Sequence, residues 1–266
     1  YEIRPGAPSE THVWMHDMSL ESADGAPVDI DGLQTALEAC FLMVMRGIAE
    51  NDGYNALVLK AGLQWRDIVL IRAISRFLRQ VRLPFSQDYM WATLRAHPQI
   101  ASQIVALFHA RFDPRPEAGI GRKAKEAEIV AAIEAALEKV PSLDEDRILR
   151  HFVNAVLSAL RTNFYQIGAG GQPKAEVAIK YESGKLTTLP APRPLYEIFV
   201  YSPRVEGVHL RFGKVARGGI RWSDRPQDFR TEVLGLVKAQ QVKNAVIVPV
   251  GAKGGFVPKH LPIGGT

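Results

Sequence analysis

Three cations stand beside glycines or at element ends: Arg217 in Arg217-Gly-Gly-Ile-Arg-Trp222, Lys243 in Lys243-Asn-Ala245, and Lys253 in Pro249-Val-Gly-Ala-Lys-Gly-Gly-Phe256. Glycine has no Cβ, so a small anion can come close to the backbone at such places. A substrate with more than one carboxylate needs separated cations to fix its orientation. It also needs an amine that can give up its proton near neutral pH, which lysine can do and arginine cannot. Arg217 and Arg221 bracket Gly218 and Gly219, so one guanidinium can clasp a carboxylate while the other pairs with an acid such as Asp224. Each cation also has a plainer reading. Lys253 fits an exposed lysine in a glycine-rich loop after a short strand at 245–248, Lys243 a helix-end cation favoured by the helix dipole, and the Arg217 to Arg221 stretch a charged hairpin.

Other chemistries fit poorly. Gly251-Ala-Lys-Gly-Gly255 looks like a phosphate loop, but Gly254 stands where a magnesium-binding Ser or Thr is required. Gly119-Ile-Gly-Arg-Lys-Ala124 matches a dinucleotide fingerprint ahead of a helix, yet Asp113-Pro-Arg-Pro116 occupies the place of the strand that must lead into it. The histidines show no metal-ligand spacing, and the single cysteine, Cys40, lies in the apolar run Ala39-Cys-Phe-Leu-Met-Val-Met45. A buried core thiol and no metal site are expected.

With 266 residues, 47% hydrophobic and 23% charged, the composition is that of an ordinary globular protein. A formal charge of +5 and a pI near 9.3 invite a nucleic-acid reading. The cations alternate with acids, however, as in Arg122-Lys-Ala-Lys-Glu-Ala-Glu128, which is the pattern of a solvated face, so no nucleic-acid partner is expected. Nothing approaches an apolar run of about 18 residues, and the first residues lack the order of a signal peptide. The expectation is a cytoplasmic protein without a membrane partner. Neither end reads as a natural terminus, so the chain is expected to be a segment of a longer polypeptide.

The elements that must position these cations change character along the chain. Leu33, Leu37, Phe41, Val44 and Ile48 recur at helical spacing after an Asp31 to Gln34 capping box, which predicts a long, nearly all-buried helix stopped by Asn51-Asp-Gly53. Residues 65–82 predict a second helix carrying a stripe of Arg66, Arg72, Arg76, Arg79 and Arg82, read as a solvated or subunit-facing surface. Helices broken at His97-Pro98 follow, then a helical pair over 123–139 and 144–163 with a cap at Ser142. Strands are expected near 174–181, 196–201 and 207–212, and a helix over 224–243. The fold class is therefore α/β overall, with a mainly helical region over 1–167 and the start of a mixed-sheet domain over 168–266.

At this point the chain resembles the large bacterial NAD-dependent glutamate dehydrogenases. The resemblance rests on Tyr201-Ser-Pro-Arg-Val-Glu-Gly-Val-His209, Val215-Ala-Arg-Gly-Gly-Ile-Arg-Trp-Ser-Asp224, Asp228-Phe-Arg-Thr-Glu-Val-Leu-Gly-Leu-Val-Lys-Ala-Gln240 and Pro249-Val-Gly-Ala-Lys-Gly-Gly255, with Asn51-Asp-Gly-Tyr-Asn55 upstream. It implies oxidative deamination of L-glutamate to 2-oxoglutarate and ammonia with NAD, in a homo-oligomer. It also implies that Lys253 is the catalytic lysine, that Lys243 holds the α-carboxylate, and that Arg217, with Gly218 and Gly219, faces the side-chain carboxylate. In the smaller enzymes a lysine stands where this sequence has Arg217, and the stretch between Lys243 and Lys253 is longer. The catalytic aspartate and the NAD-binding domain are expected beyond Thr266. A rival reading makes the segment a non-catalytic assembly or regulatory module of a larger enzyme, working through its helices.

Overall fold

The computed structural model describes residues 2–3, 13–14, 25, 27–115, 121–187, 189, 191–214, 218–244 and 251–261. The chain divides into two compact units, Tyr1–Gly32 and Leu33–Thr266. In the first, β1 (Glu2–Ile3) pairs antiparallel with β2 (Val13–Trp14). Helix α1 (Ile30–Met45) begins there. Its first-turn Gly32 N–H donates to Asp29 Oδ1 at 3.3 Å, so the cap lies just ahead of the Asp31 to Gln34 box that the sequence suggests.

In the second unit, α2 (Leu57–Ala61), α3 (Trp65–Gln80), α4 (Gln87–Ala96), α5 (Pro98–Phe112), α6 (Arg122–Leu137) and α7 (Leu143–Ser158) precede a sheet. The sheet contains β3 (Ala159–Thr162), β4 (Val177–Glu182), β5 (Tyr196–Tyr201), β6 (Val205–Arg211), β7 (Ile220–Trp222) and β8 (Ala252–Pro258), and α8 (Phe229–Asn244) connects the last two. The six strands are ordered β3-β4-β5-β6-β8-β7; all neighbours are antiparallel except β7 and β8, which run parallel. The expected α/β class, helical first and mixed sheet second, is the observed one.

Local signals set most helix ends. Ser86 accepts from Tyr89 N at 3.1 Å to start α4, Pro98 opens α5 after the break at His97, and Ser142 accepts from Glu145 N at 3.4 Å to start α7. Burial is densest on α3, where Leu70, Ile71 and Phe77 have no exposed surface. Phe77 stacks on Tyr181 of β4 at 4.1 Å between ring centroids and tilts against Phe199 of β5, joining helix to sheet in one core. Cys40 is in that core as expected, and burial pushes its thiol pKa up.

Several expectations are corrected. Helix α1 ends at Met45, where the Ile48 and Ala49 N–H groups turn back to Met43 O, and it is not all-buried: Phe41 is 48% and Met45 69% exposed. The second helix of the pair stops at Ser158, and Ala159–Thr162 becomes strand β3 because β4 offers it an edge to pair with. The middle of the arginine stripe is not a solvated face. Arg72 is fully buried, with Nε and Nη2 each 2.7 Å from the Asp52 carboxylate and Nη2 also reaching Glu50 O and Asn55 Oδ1. Arg76 pairs with Glu50 at 3.1 Å, and Arg66 lies over the Phe164 ring. These acids come from the turn ahead of α2, so Arg72 and Arg76 are neutralised from within the fold, whereas Arg82 is exposed.

Candidate active site

Lys253 is not in a loop. It is the second residue of β8, opposite Leu210 of β6, with β7 on the other side of the strand. Consecutive glycines next to it are compatible with a strand because the space beside them is filled. A Cβ on Gly255 would lie 2.5 Å from Val233 Cγ2 of α8, so glycine lets the helix press onto the sheet. Lys253 is half-buried and helps line a cleft of about 480 Å³ together with Gly219, Arg221, Leu236, Gln240 and Gly254.

The glycine pair before β7 closes the same cleft. Gly218 has φ +153°, and a Cβ there would lie 1.6 Å from Ala252 O and 3.3 Å from Lys253 Cδ. Gly219 O accepts from Gly254 N at 3.2 Å. Gly218 and Gly219 are thereby placed directly against the strand that carries Lys253. Lys243 stands in the last turn of α8, the helix that forms the wall opposite Lys253. Its side chain, all of Arg217 and the strand expected at 245–248 lie outside the described residues. So does the start of the dinucleotide-like motif; Gly121 opens α6, and the element leading toward it is helix α5.

Of the two arginines that bracket the glycines, Arg221 is the one seen to pair with an acid, and that acid is Glu232 rather than Asp224. Its Nε is 3.5 Å from Glu232 of α8, whose other oxygen accepts from Ser223 Oγ at 2.6 Å. Asp224 is not its partner because β7 directs Arg221 toward α8. The sequence reading missed Gln240, which lines the cleft, and Glu232, which holds the cleft residue Arg221. Gln240 Oε1 is buried and has no hydrogen-bond partner among the described residues. It lies against Gly251, where an added Cβ would come within 2.2 Å of it, while other atoms of Gln240 line the cleft. The available signal was spacing: Gln240 precedes Lys243 by three residues and shares its helix face. On the other face of the sheet, burial and then the charge of Arg211 push the His209 pKa below its ordinary value. No group of metal-ligating side chains occurs among the described residues.

The arrangement combines an amine on a strand, an unpaired carbonyl on a helix and close backbone approach, and known proteins share its sequence. Residues 132–266 match the family described as bacterial NAD-glutamate dehydrogenase, catalytic domain. The chain belongs to this family. Residues 49–114 match glutamate dehydrogenase, helical motif 3, which places α2 to α5 in a recognised module of these dehydrogenases. The NAD-specific glutamate dehydrogenase of Pseudomonas aeruginosa is 54% identical over 254 residues, covering 95% of this chain and 16% of its own length. Those of Halomonas elongata and Mycobacterium tuberculosis are 48% and 47% identical over 99% and 96% of this chain. The chain thus spans about a sixth, 16%, of each of these relatives.

Proposed function

We propose that this chain supplies the substrate half of a glutamate dehydrogenase active site, in a parent enzyme that converts L-glutamate to 2-oxoglutarate and ammonia with NAD. The observation that carries the reading is Lys253, a half-buried amine facing α8 across a cleft, in a catalytic-domain family described by NAD and glutamate.

In this reading the chain divides the work. Lys243 and the amide N–H of Gln240 hold the α-carboxylate, Arg217 faces the side-chain carboxylate, and Gly218 and Gly219 let substrate approach the backbone. Lys253 hydrogen-bonds the reacting carbon's substituents, takes a proton from the attacking water and stabilises the oxygen charge that develops. The described residues contain no strand, glycine turn and helix in succession of the dinucleotide-binding kind, so no step performed by NAD is assigned to them.

The test is glutamate turnover by the full-length parent carrying Lys253→Met, which keeps the apolar stem and removes the amine. A fall in kcat on the order of a hundredfold to ten-thousandfold, with folding intact, is expected. A merely scaffolding segment predicts ordinary turnover, and that result would remove the assignment.

A further inference from the structure

The last turn of α3 meets the start of α8. Gln80 is 1% exposed, and both ends of its amide serve α8: Oε1 accepts from Arg230 N at 3.2 Å and Nε2 donates to Pro226 O at 2.9 Å. Its neighbour Arg79 donates to Gln227 Oε1. Arg230 sends its guanidinium the other way, into a two-pronged pairing with Glu197 of β5, with Nε 2.7 Å from Oε2 and side chains 5% and 0% exposed. The start of α8 is therefore pinned from two sides, by helical motif 3 through Gln80 and by the sheet through Glu197.

Gln240 lies ten residues beyond Arg230 on the same helix, so about 15 Å along its axis. A tilt of about 4° at the pin moves Gln240 by about 1 Å over that length. Lys253 is on β8, held in the sheet between β6 and β7. A misplacement of about 1 Å between binding and reacting groups is enough to cost on the order of a hundredfold in rate.

We infer that Gln80 is a positioning residue: through α8 it sets the distance from Gln240 and Lys243 to Lys253, so that the helical motif bears on how glutamate is held. The inference rests on the substrate reading above. The charge-lined cleft at Glu50 and Arg76 borders the same Arg79, Pro226 and Gln227, whereas the Asp67, His109 and Tyr165 hydrogen bonds do not involve α8.

The experiment uses the full-length parent and measures KM for glutamate, KM for NAD, kcat and Tm for Gln80→Met, Gln80→Glu and the packing control Ile74→Val. Gln80→Met keeps the bulk and removes both hydrogen bonds; it should raise KM for glutamate at least about threefold with KM for NAD within about twofold. Gln80→Glu keeps an acceptor for Arg230 N and should recover part of the loss. Ile74→Val, buried in the same helix, should lower Tm without moving either KM. The proposal is overturned if Gln80→Met lowers Tm at wild-type KM for glutamate, if both KM values rise together, or if Ile74→Val raises KM for glutamate equally. Should Gln80→Met not fold, Gln80→Ala, which also removes both hydrogen bonds, decides, and an unchanged KM for glutamate there overturns the proposal. A wild-type parent without glutamate turnover would instead sink the substrate reading, before any Gln80 variant is made.

Discussion

Gly218 runs so close to Ala252 that a Cβ on Gly218 would sit 1.6 Å from the Ala252 carbonyl oxygen. With φ at +153°, both the backbone conformation and the space demand glycine. Gly218→Ala should therefore displace β7 from β8 and cost at least about 2 kcal/mol, the scale of local backbone strain plus a forced shift. Urea unfolding of the chain, followed by tryptophan fluorescence, measures this. A change within about 0.5 kcal/mol would show that the two segments are not in contact.

Lys253→Arg separates charge from proton transfer. A guanidinium keeps the positive charge but cannot accept a proton from water near neutral pH. In the parent enzyme this variant should lose nearly as much kcat as Lys253→Met, on the order of a hundredfold or more. If it retains most of its kcat, Lys253 anchors the substrate and does not act as the base.

Arg72 and Asp52 make a buried fork, with both contacts at 2.7 Å and the arginine side chain wholly inaccessible. Arg72→Met leaves Asp52 without its partner and should destabilise the fold by about 3–5 kcal/mol. The double variant with Asp52→Asn should recover a measurable part of that, because no lone charge remains. A double variant that loses the sum of what Arg72→Met and Asp52→Asn each lose alone would mean that the pair carries no coupling.

Glu50 gives the fold an acid-sensitive joint. Burial pushes its carboxyl pKa up, but the charge and hydrogen bond of Lys259, the charge of Arg76 and the hydrogen bond from Tyr201 bring it below the ordinary 4.5. The unfolded chain then takes up the proton at higher pH than the folded one. The stabilisation is complete above about pH 5 and is lost as pH falls through the folded value. The stability gap between wild type and Glu50→Gln should be flat near neutrality and shrink on acidification. A gap that widens toward low pH would reverse the sign.

The sequence by itself determined the local features and the family. Ser86, Ser142 and His97-Pro98 mark helix ends through short-range hydrogen bonding and proline sterics, and alternation marks β4 and β5, because both signals lie within a few residues. The glycine and lysine motifs likewise marked residues that line one cleft, Gly219, Lys253 and Gly254. Tertiary structure alone decided what distant segments do to one another. Arg72 is buried and Arg76 paired because Glu50 and Asp52 fold back onto them, and a helical period cannot tell a solvated charge from a neutralised one. Residues 159–162 form a strand because β4 lies alongside, and Lys253 belongs to one because β6 and β7 flank it. Gln240 drew no notice as one polar residue on a helix; only the tertiary fold left its buried carbonyl against Gly251 without a partner. Pairing, burial and satisfaction are properties of neighbours in space, which periodicity along the chain does not encode.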